Sequence, residues 1–306
     1  MTLRDFGLFS LICMAWGLNV IISRWVFVAT DVEPLFYAGI RFFFIALVLT
    51  PIFFQRWPAD LFKVFLISLC MGSAHFGLLF TGLATANASA AAVVSQLGVP
   101  FTTLLSIVFL QERVGWRRGI GIAMAFAGVV IISVNPANFS VSTGLLFVIA
   151  SAFMASVGSI LMKQITRMPG VKMQAWVGAM SFLPLLLLSG VIEGGDAGFM
   201  GQIRAFEEGG WMLWLATAFA VLGVSIFGHG TFYTFITRYD VSLLSPLTLM
   251  VPIWGVVFGV VLLNEPFTVK FLIGGIVSLA GVLVIALRPN SKLPTATIGR
   301  KEAGSL

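Results

Sequence analysis

Along this chain polar positions come in short clusters, and long apolar runs fill the space between them. Ten runs stand out, at 6–28, 34–54, 61–83, 88–110, 117–134, 143–166, 173–192, 211–236, 241–263 and 268–287. Each is close to the ~20 residues that a helix needs to cross the hydrocarbon core of a bilayer. The pattern predicts an all-α membrane protein with ten transmembrane helices. The first run does not read as a signal peptide: it is too long, it carries Asn19 and Arg24, and no small-residue cleavage site follows it. Residues 193–210, the longest connection, are acidic and Gly-rich, which predicts a flexible loop. The tail 289–306 is polar without an apolar period and reads as disordered and cytoplasmic.

Composition agrees with a lipid solvent. The 306 residues are 59% hydrophobic and 10% charged, where a soluble domain carries roughly 25% charged residues. Mean hydropathy is +1.04. So many apolar side chains exceed what one water-soluble core can hold, and most must face lipid. The net charge of +6 does not point to nucleic acid, because the basic residues sit singly between runs instead of forming a patch. Cys13 and Cys70 both lie in apolar runs and read as small packing residues, with no disulfide framework.

The scattered basic residues set an orientation. With the amino terminus in the cytoplasm and strict alternation, the cytoplasmic side receives fourteen of the eighteen Lys and Arg residues, Arg56, Lys63, Arg117, Arg118 and Lys172 among them. The outer connections receive only Arg204 and Lys270, while Arg24 and Arg41 fall inside runs. The reverse orientation would break the positive-inside rule. Ten crossings then leave both termini in the cytoplasm.

The chain also repeats itself. VPFTTLLSIVFLQE (Val99–Glu112) returns as VPIWGVVFGVVLLNE (Val251–Glu265). The 24 residues after each glutamate align without a gap and share seven identities, Gly121 with Gly274, Gly128 with Gly281 and Pro136 with Pro289 among them. The repeat divides the chain into 1–138 and 139–288, five spans each. Five is odd, so the second unit enters the membrane from the opposite side. Two like halves of opposite orientation offer a route to alternating access, which points to a transporter. Pro100 and Pro252, repeat-matched inside spans 4 and 9, remove a helix hydrogen bond each and are read as hinges or kinks. Glu112 and Glu265 read as structural anchors first and gates second. The small residues Gly121, Ala125 and Gly128, with Gly274, Ser278 and Gly281, predict close packing of spans 5 and 10, or alternatively a dimer seam.

A ten-span inverted repeat, Trp-Gly in the first span (AWGLNVIISR, Ala15–Arg24) and repeat ends of the form P…LxE…G…G…AGV resemble the drug/metabolite transporter superfamily, and within it the EamA family. The resemblance covers residues 6–288. The second half departs from it in lacking the Trp-Gly at FMASVGSILMK (Phe153–Lys163). Among bacterial members the chain is most similar to the YddG-type exporters of aromatic amino acids. The resemblance implies export of amino acids or other metabolites from a central cavity, a multi-pass place in the bacterial inner membrane, and no cofactor.

Polar side chains inside a span are costly and point to function. Asn19, Ser23, Arg24, Arg41, His75, Gln96, Ser159, His229 and Tyr233 are such residues. His75 and His229 fall at comparable depths in spans 3 and 8, which are repeat partners. Leu79 shares the face of His75, and Tyr233 that of His229. Trp16, Asn19 and Ser23 follow helical spacing on span 1. These residues form the predicted substrate site: Trp16, Asn19, Ser23, His75, Leu79, Gln96, His229 and Tyr233. For each histidine the plain alternative is a neutral ring bonded to a backbone carbonyl. Arg41 has three readings: binding a carboxylate, snorkelling, or pairing with Asp31 or Glu33. Trp254 either lines the site or faces lipid. No Asp or Glu lies mid-span, which favours facilitated diffusion or exchange over proton coupling. GxxxxGK[ST], HExxH and GxSxG are absent, so an ATP-driven pump of that type and an intramembrane enzyme are disfavoured, and no metal or cofactor site is predicted. The expected partners are a small-molecule substrate and membrane lipid, and the chain is expected to act as a monomer or homodimer. The abundant aromatics keep a second reading open, an exporter of lipophilic cations.

Overall fold

The computed structural model describes the chain except for residues 112–114, 136–139, 166–167, 194–197, 240–243, 245–246 and 288–306. Glu112, Pro136 and the tail 289–306 therefore lie outside the described residues. Eight helices are long and apolar enough to cross a membrane: α1 (Leu3–Ala29), α3 (Leu61–Leu83), α4 (Ala88–Leu110), α5 (Trp116–Ser133), α6 (Thr143–Met162), α7 (Gly170–Ile192), α9 (Gly210–Phe232, running on to Arg238) and α11 (Val269–Ala286). Two further apolar helices, α2 (Pro34–Val48) and α10 (Met250–Leu263), are shorter. Predicted span 2 ends early because Pro51 lacks an N–H, and the chain tightens into a 3₁₀ turn over Thr50–Phe54. Span 9 begins among residues that are not described.

One expectation is corrected. The connection 193–210 is not simply a loop: Gly198–Glu208 forms a helix, α8. Phe199, Ile203 and Phe206 recur at helical spacing and give it one apolar edge. The edge seats on the bundle, with Phe199 and Phe206 at 5.6 and 6.4 Å from the Phe36 ring and Phe206 at 4.9 Å from Trp214. Outside the helices, Val134–Asn135 and Ser140–Val141 make a two-residue antiparallel ladder.

Helices five spans apart in the sequence reading correspond as α1/α6, α2/α7, α3/α9, α4/α10 and α5/α11. The packing repeats under this exchange: α1 lies on α10 as α6 lies on α4, and α3 lies on α6 as α1 lies on the middle of α9. α2 with α7, and α5 with α11, pair across the exchange. The α5–α11 seam is the tightest. A Cβ at Gly128 would stand 2.4 Å from the Ser278 nitrogen and 2.5 Å from the Gly274 carbonyl oxygen, and one at Gly281 would stand 2.5 Å from the Gly121 oxygen. The small-residue face read as a possible dimer seam is thus occupied within the chain. Large apolar residues such as Val28, Leu187, Val191 and Val261 stay exposed on the outside of the bundle, as a lipid-facing surface requires.

Candidate functional site

Two helices change pitch beside the histidines. α3 contains a π-helical segment, Leu69–Ala74, that ends against His75, and α9 contains a longer one, Phe219–His229, that ends on His229. A π turn holds an extra residue and bonds i to i−5. Side chains follow the same step: Ser225 Oγ donates to the Ala220 oxygen at 2.9 Å, and His229 Nδ1 lies 2.9 Å from the Val224 oxygen. A carbonyl only accepts, so Nδ1 carries the hydrogen and Nε2 of His229 remains an acceptor in the neutral ring. His75 is set the same way from another helix. Its Nδ1 lies 3.1 Å from the Ser151 oxygen and 2.8 Å from Ser151 Oγ, which itself donates to the His75 carbonyl at 2.9 Å. Each ring thus meets a backbone carbonyl, as the plain alternative expected, and keeps one nitrogen as an acceptor.

α1 supplies the wall opposite His229. The Trp16 ring stands 5.0 Å from the His229 ring and 5.2 Å from Phe232. Gly228 makes room for it, since a Cβ there would lie 2.8 Å from Trp16 Nε1. Asn19 and Ser23 follow on the same helix, 7% and 1% exposed. Trp16 Nε1, Asn19 Oδ1 and Ser23 Oγ are buried without a hydrogen-bond partner among the described residues, an unusual concentration of unpaired polar atoms. Trp254 belongs to this side too: its Cβ lies 2.8 Å from the Cβ position at Gly17, and its ring stacks on Phe258 at 5.5 Å.

Arg41, on α2, is 1% exposed. Its Nη2 donates to Ser225 Oγ at 3.0 Å, and its guanidinium lies over Phe76 at 4.8 Å and Phe80 at 5.9 Å. Nε and Nη1 are buried without a partner, and no carboxylate pairs with Arg41 among the described residues. Pairing with Asp31 or Glu33 and snorkelling are both set aside by this geometry. His75 and His229 lie within electrostatic reach of its charge. A cation in the middle of a membrane helix costs at least about 2.5–3.5 kcal/mol, which aromatic faces and one serine offset only in part.

The repeated amide and glutamate have a different use. Gln111 and Asn264 are left-handed, φ 52° and 51°, and close α4 and α10. Asn is among the few non-Gly residues that adopt this cap readily. Glu265 then reaches across: its carboxylate accepts from the Ala88 and Ser89 nitrogens at 2.5 and 2.8 Å, at the start of α4. Arg24 Nη1 donates to the Leu83 oxygen at 2.7 Å and also to the Ala84 oxygen, at the end of α3. Anion at a helix start and cation at a helix end both match the helix dipole. Glu193 serves α2 similarly, accepting from the Leu35 and Phe36 nitrogens at 2.8 and 3.1 Å. Burial holds the Glu193 carboxyl above the usual carboxylate range, although these bonds pull the other way. Glu265→Ala is expected to cost about 1 kcal/mol, read as a lower thermal midpoint of the purified protein, with Glu265→Gln losing less. An unchanged midpoint for the alanine variant would remove the anchoring role.

The remaining predicted residues are placed as follows. Leu79 is buried one turn beyond His75. Gln96 is half-buried in a 3₁₀ segment of α4, Ser95–Leu97, and no hydrogen bond or ring contact joins it to the group among the described residues. Pro100 and Pro252 are buried near the starts of the regular parts of α4 and α10, Pro100 three residues after that segment. The Tyr233 side chain lies outside the described residues. Ser151, Ser225 and Phe76 were not foreseen; a serine or phenylalanine in an apolar span carries no distinguishing signal.

Comparison with known proteins adds a family. The sequence profile of the EamA-like transporter family matches residues 6–134 and 142–287. A "Probable amino-acid metabolite efflux pump" of Salmonella typhimurium is 29% identical over 293 residues, covering 93% of this chain and 95% of that protein. Its namesake in Escherichia coli is 26% identical over the same shares. A solved crystal structure aligns with a TM-score of 0.60 at 18% identity, over 93% of this chain and 96% of its own, a likeness of fold.

Proposed function

This chain belongs to the EamA-like transporter family, and from that premise we propose that it is an inner-membrane exporter of amino acids with aromatic or large neutral side chains. The observation that carries this reading is that His75 and His229 stand where two repeat-matched helices change pitch, with the Trp16 ring 5.0 Å from that of His229. An aromatic wall suits a large apolar side chain. Neutral imidazole acceptors suit an ammonium group. The efflux pumps of similar sequence support the substrate class.

In this reading the substrate site comprises Trp16, Asn19, Ser23, His75, Leu79, Gln96, His229 and Tyr233. Ten crossings in two inverted units, 1–138 and 139–288, alternate access to it, with Pro100 and Pro252 at the bends. No carboxylate is available mid-span, so transport is facilitated diffusion or exchange.

Counterflow tests the reading. Proteoliposomes loaded with unlabelled amino acids are expected to accumulate labelled phenylalanine or tryptophan, with or without a pH gradient. Accumulation only under a pH gradient would overturn the uncoupled mechanism. No counterflow with any amino acid would sink the substrate class. One observation favours a second reading, export of lipophilic cations: a recess of about 380 Å³ is lined by Trp25, Trp211, Asp31 and Glu208, which pairs aromatic faces with acids. Resistance to such compounds in cells stripped of their own pumps, without amino-acid counterflow, would favour it.

A further inference from the structure

We propose that Arg41 is the residue that takes the substrate's carboxylate; this rests on the amino-acid reading above. A fully buried guanidinium needs an anion or a full set of acceptors, and Arg41 has neither. Of its nitrogens only Nη2 is satisfied, by Ser225 Oγ, while Nε and Nη1 point to no acceptor among the described residues. Phe76 and Phe80 lie within cation–π distance and hold the group in place without neutralising it. Arginine's planar fork suits a carboxylate better than any other side chain does.

The surroundings fit a zwitterion. Ser225 is one π turn before His229 on the same segment, and Phe76 follows His75, with the two rings 4.7 Å apart. The cation and the two imidazole acceptors therefore belong to one neighbourhood, built from α2, α3 and α9. A carboxylate on Arg41 leaves the substrate's ammonium to the histidine Nε2 atoms and its side chain to the Trp16 side. Nη2 carries two hydrogens and Ser225 takes one, so a carboxylate can pair with the other together with Nε or Nη1 while the α2–α9 hydrogen bond stays in place.

The test compares ligands that differ only at the carboxylate. Thermal stabilisation of the purified protein is measured with 3-phenylpropionate and with 3-phenylpropionamide, and counterflow of labelled phenylalanine is competed with phenylalanine and phenylalaninamide. Wild type is expected to prefer each carboxylate over its amide by about 10- to 100-fold, the range of a charge-assisted hydrogen bond gained or lost. Arg41→Gln is expected to bring the two within about twofold, in line with loss of that bond. Should Arg41→Gln fail to fold, Arg41→Lys decides: it keeps the charge without the planar fork and is expected to lower the wild-type preference several-fold. Retained preference in Arg41→Gln, or an undiminished one in Arg41→Lys, overturns the proposal. So does a wild type indifferent to the carboxylate. A wild type stabilised by 3-phenylpropionate but inert in amino-acid counterflow supports the anion site and sinks the amino-acid reading instead.

Discussion

Gly128→Val is expected to leave no folded protein in detergent extracts, while Gly119→Val on the same helix behaves like wild type. The contrast follows from what each added side chain meets. At Gly128 the first carbon alone would press into the α11 backbone, 2.4 Å from the Ser278 nitrogen and 2.5 Å from the Gly274 oxygen, while nothing lies within 4 Å at Gly119. Overpacking against side chains costs about 1–3 kcal/mol because they move aside. Backbone cannot move without separating α5 from α11, so the loss at Gly128 lies above that range. Size-exclusion profiles and thermal midpoints of the two variants check this directly. A monodisperse Gly128→Val protein with the wild-type midpoint would mean that the two helices are not in backbone contact.

The second large effect concerns transport. His229→Ala is expected to lower the initial rate of phenylalanine counterflow by about 10- to 100-fold, the size of one charge-assisted hydrogen bond. Trp16→Phe keeps an aromatic face against His229 and Phe232 and is expected to lose less. Rates are normalised to reconstituted protein, and midpoints are recorded alongside so that misfolding is not read as lost recognition. Wild-type rates in folded His229→Ala would move the site away from the α1–α9 contact.

The course of the helices was legible because lipid imposes a strong rule. Apolar runs from Leu61 to Leu83 and from Ala88 to Leu110 coincide with α3 and α4, since no backbone group there can be left to water. The sequence repeat was legible from its matched prolines, amides and glycines, and its two amides, Gln111 and Asn264, both take a left-handed backbone at the ends of α4 and α10. The helix α8 was missed because its apolar residues are diluted by glycine and acids. The π segments were illegible for a different reason: an added residue per turn leaves composition unchanged, and neither contains proline. For Arg41 the sequence offered three readings, and its burial with a single bond to Ser225 on α9 sets snorkelling and the pairing with Asp31 or Glu33 aside. Asn19 and Ser23 lie buried in α1, and periodicity does not say whether such a group finds a mate.

The two pitch changes also bear on how such a bundle can move. In lipid, bending a helix by opening it would strand backbone donors and acceptors. Passing a turn from five-residue to four-residue spacing leaves the ladder bonded both before and after the shift. Each residue handed from one spacing to the other turns the downstream helix by about 100° and slides it about 1.5 Å. Any motion through the segments at Leu69–Ala74 and Phe219–His229 would therefore come in discrete steps, like the teeth of a ratchet, with a histidine at the end of each.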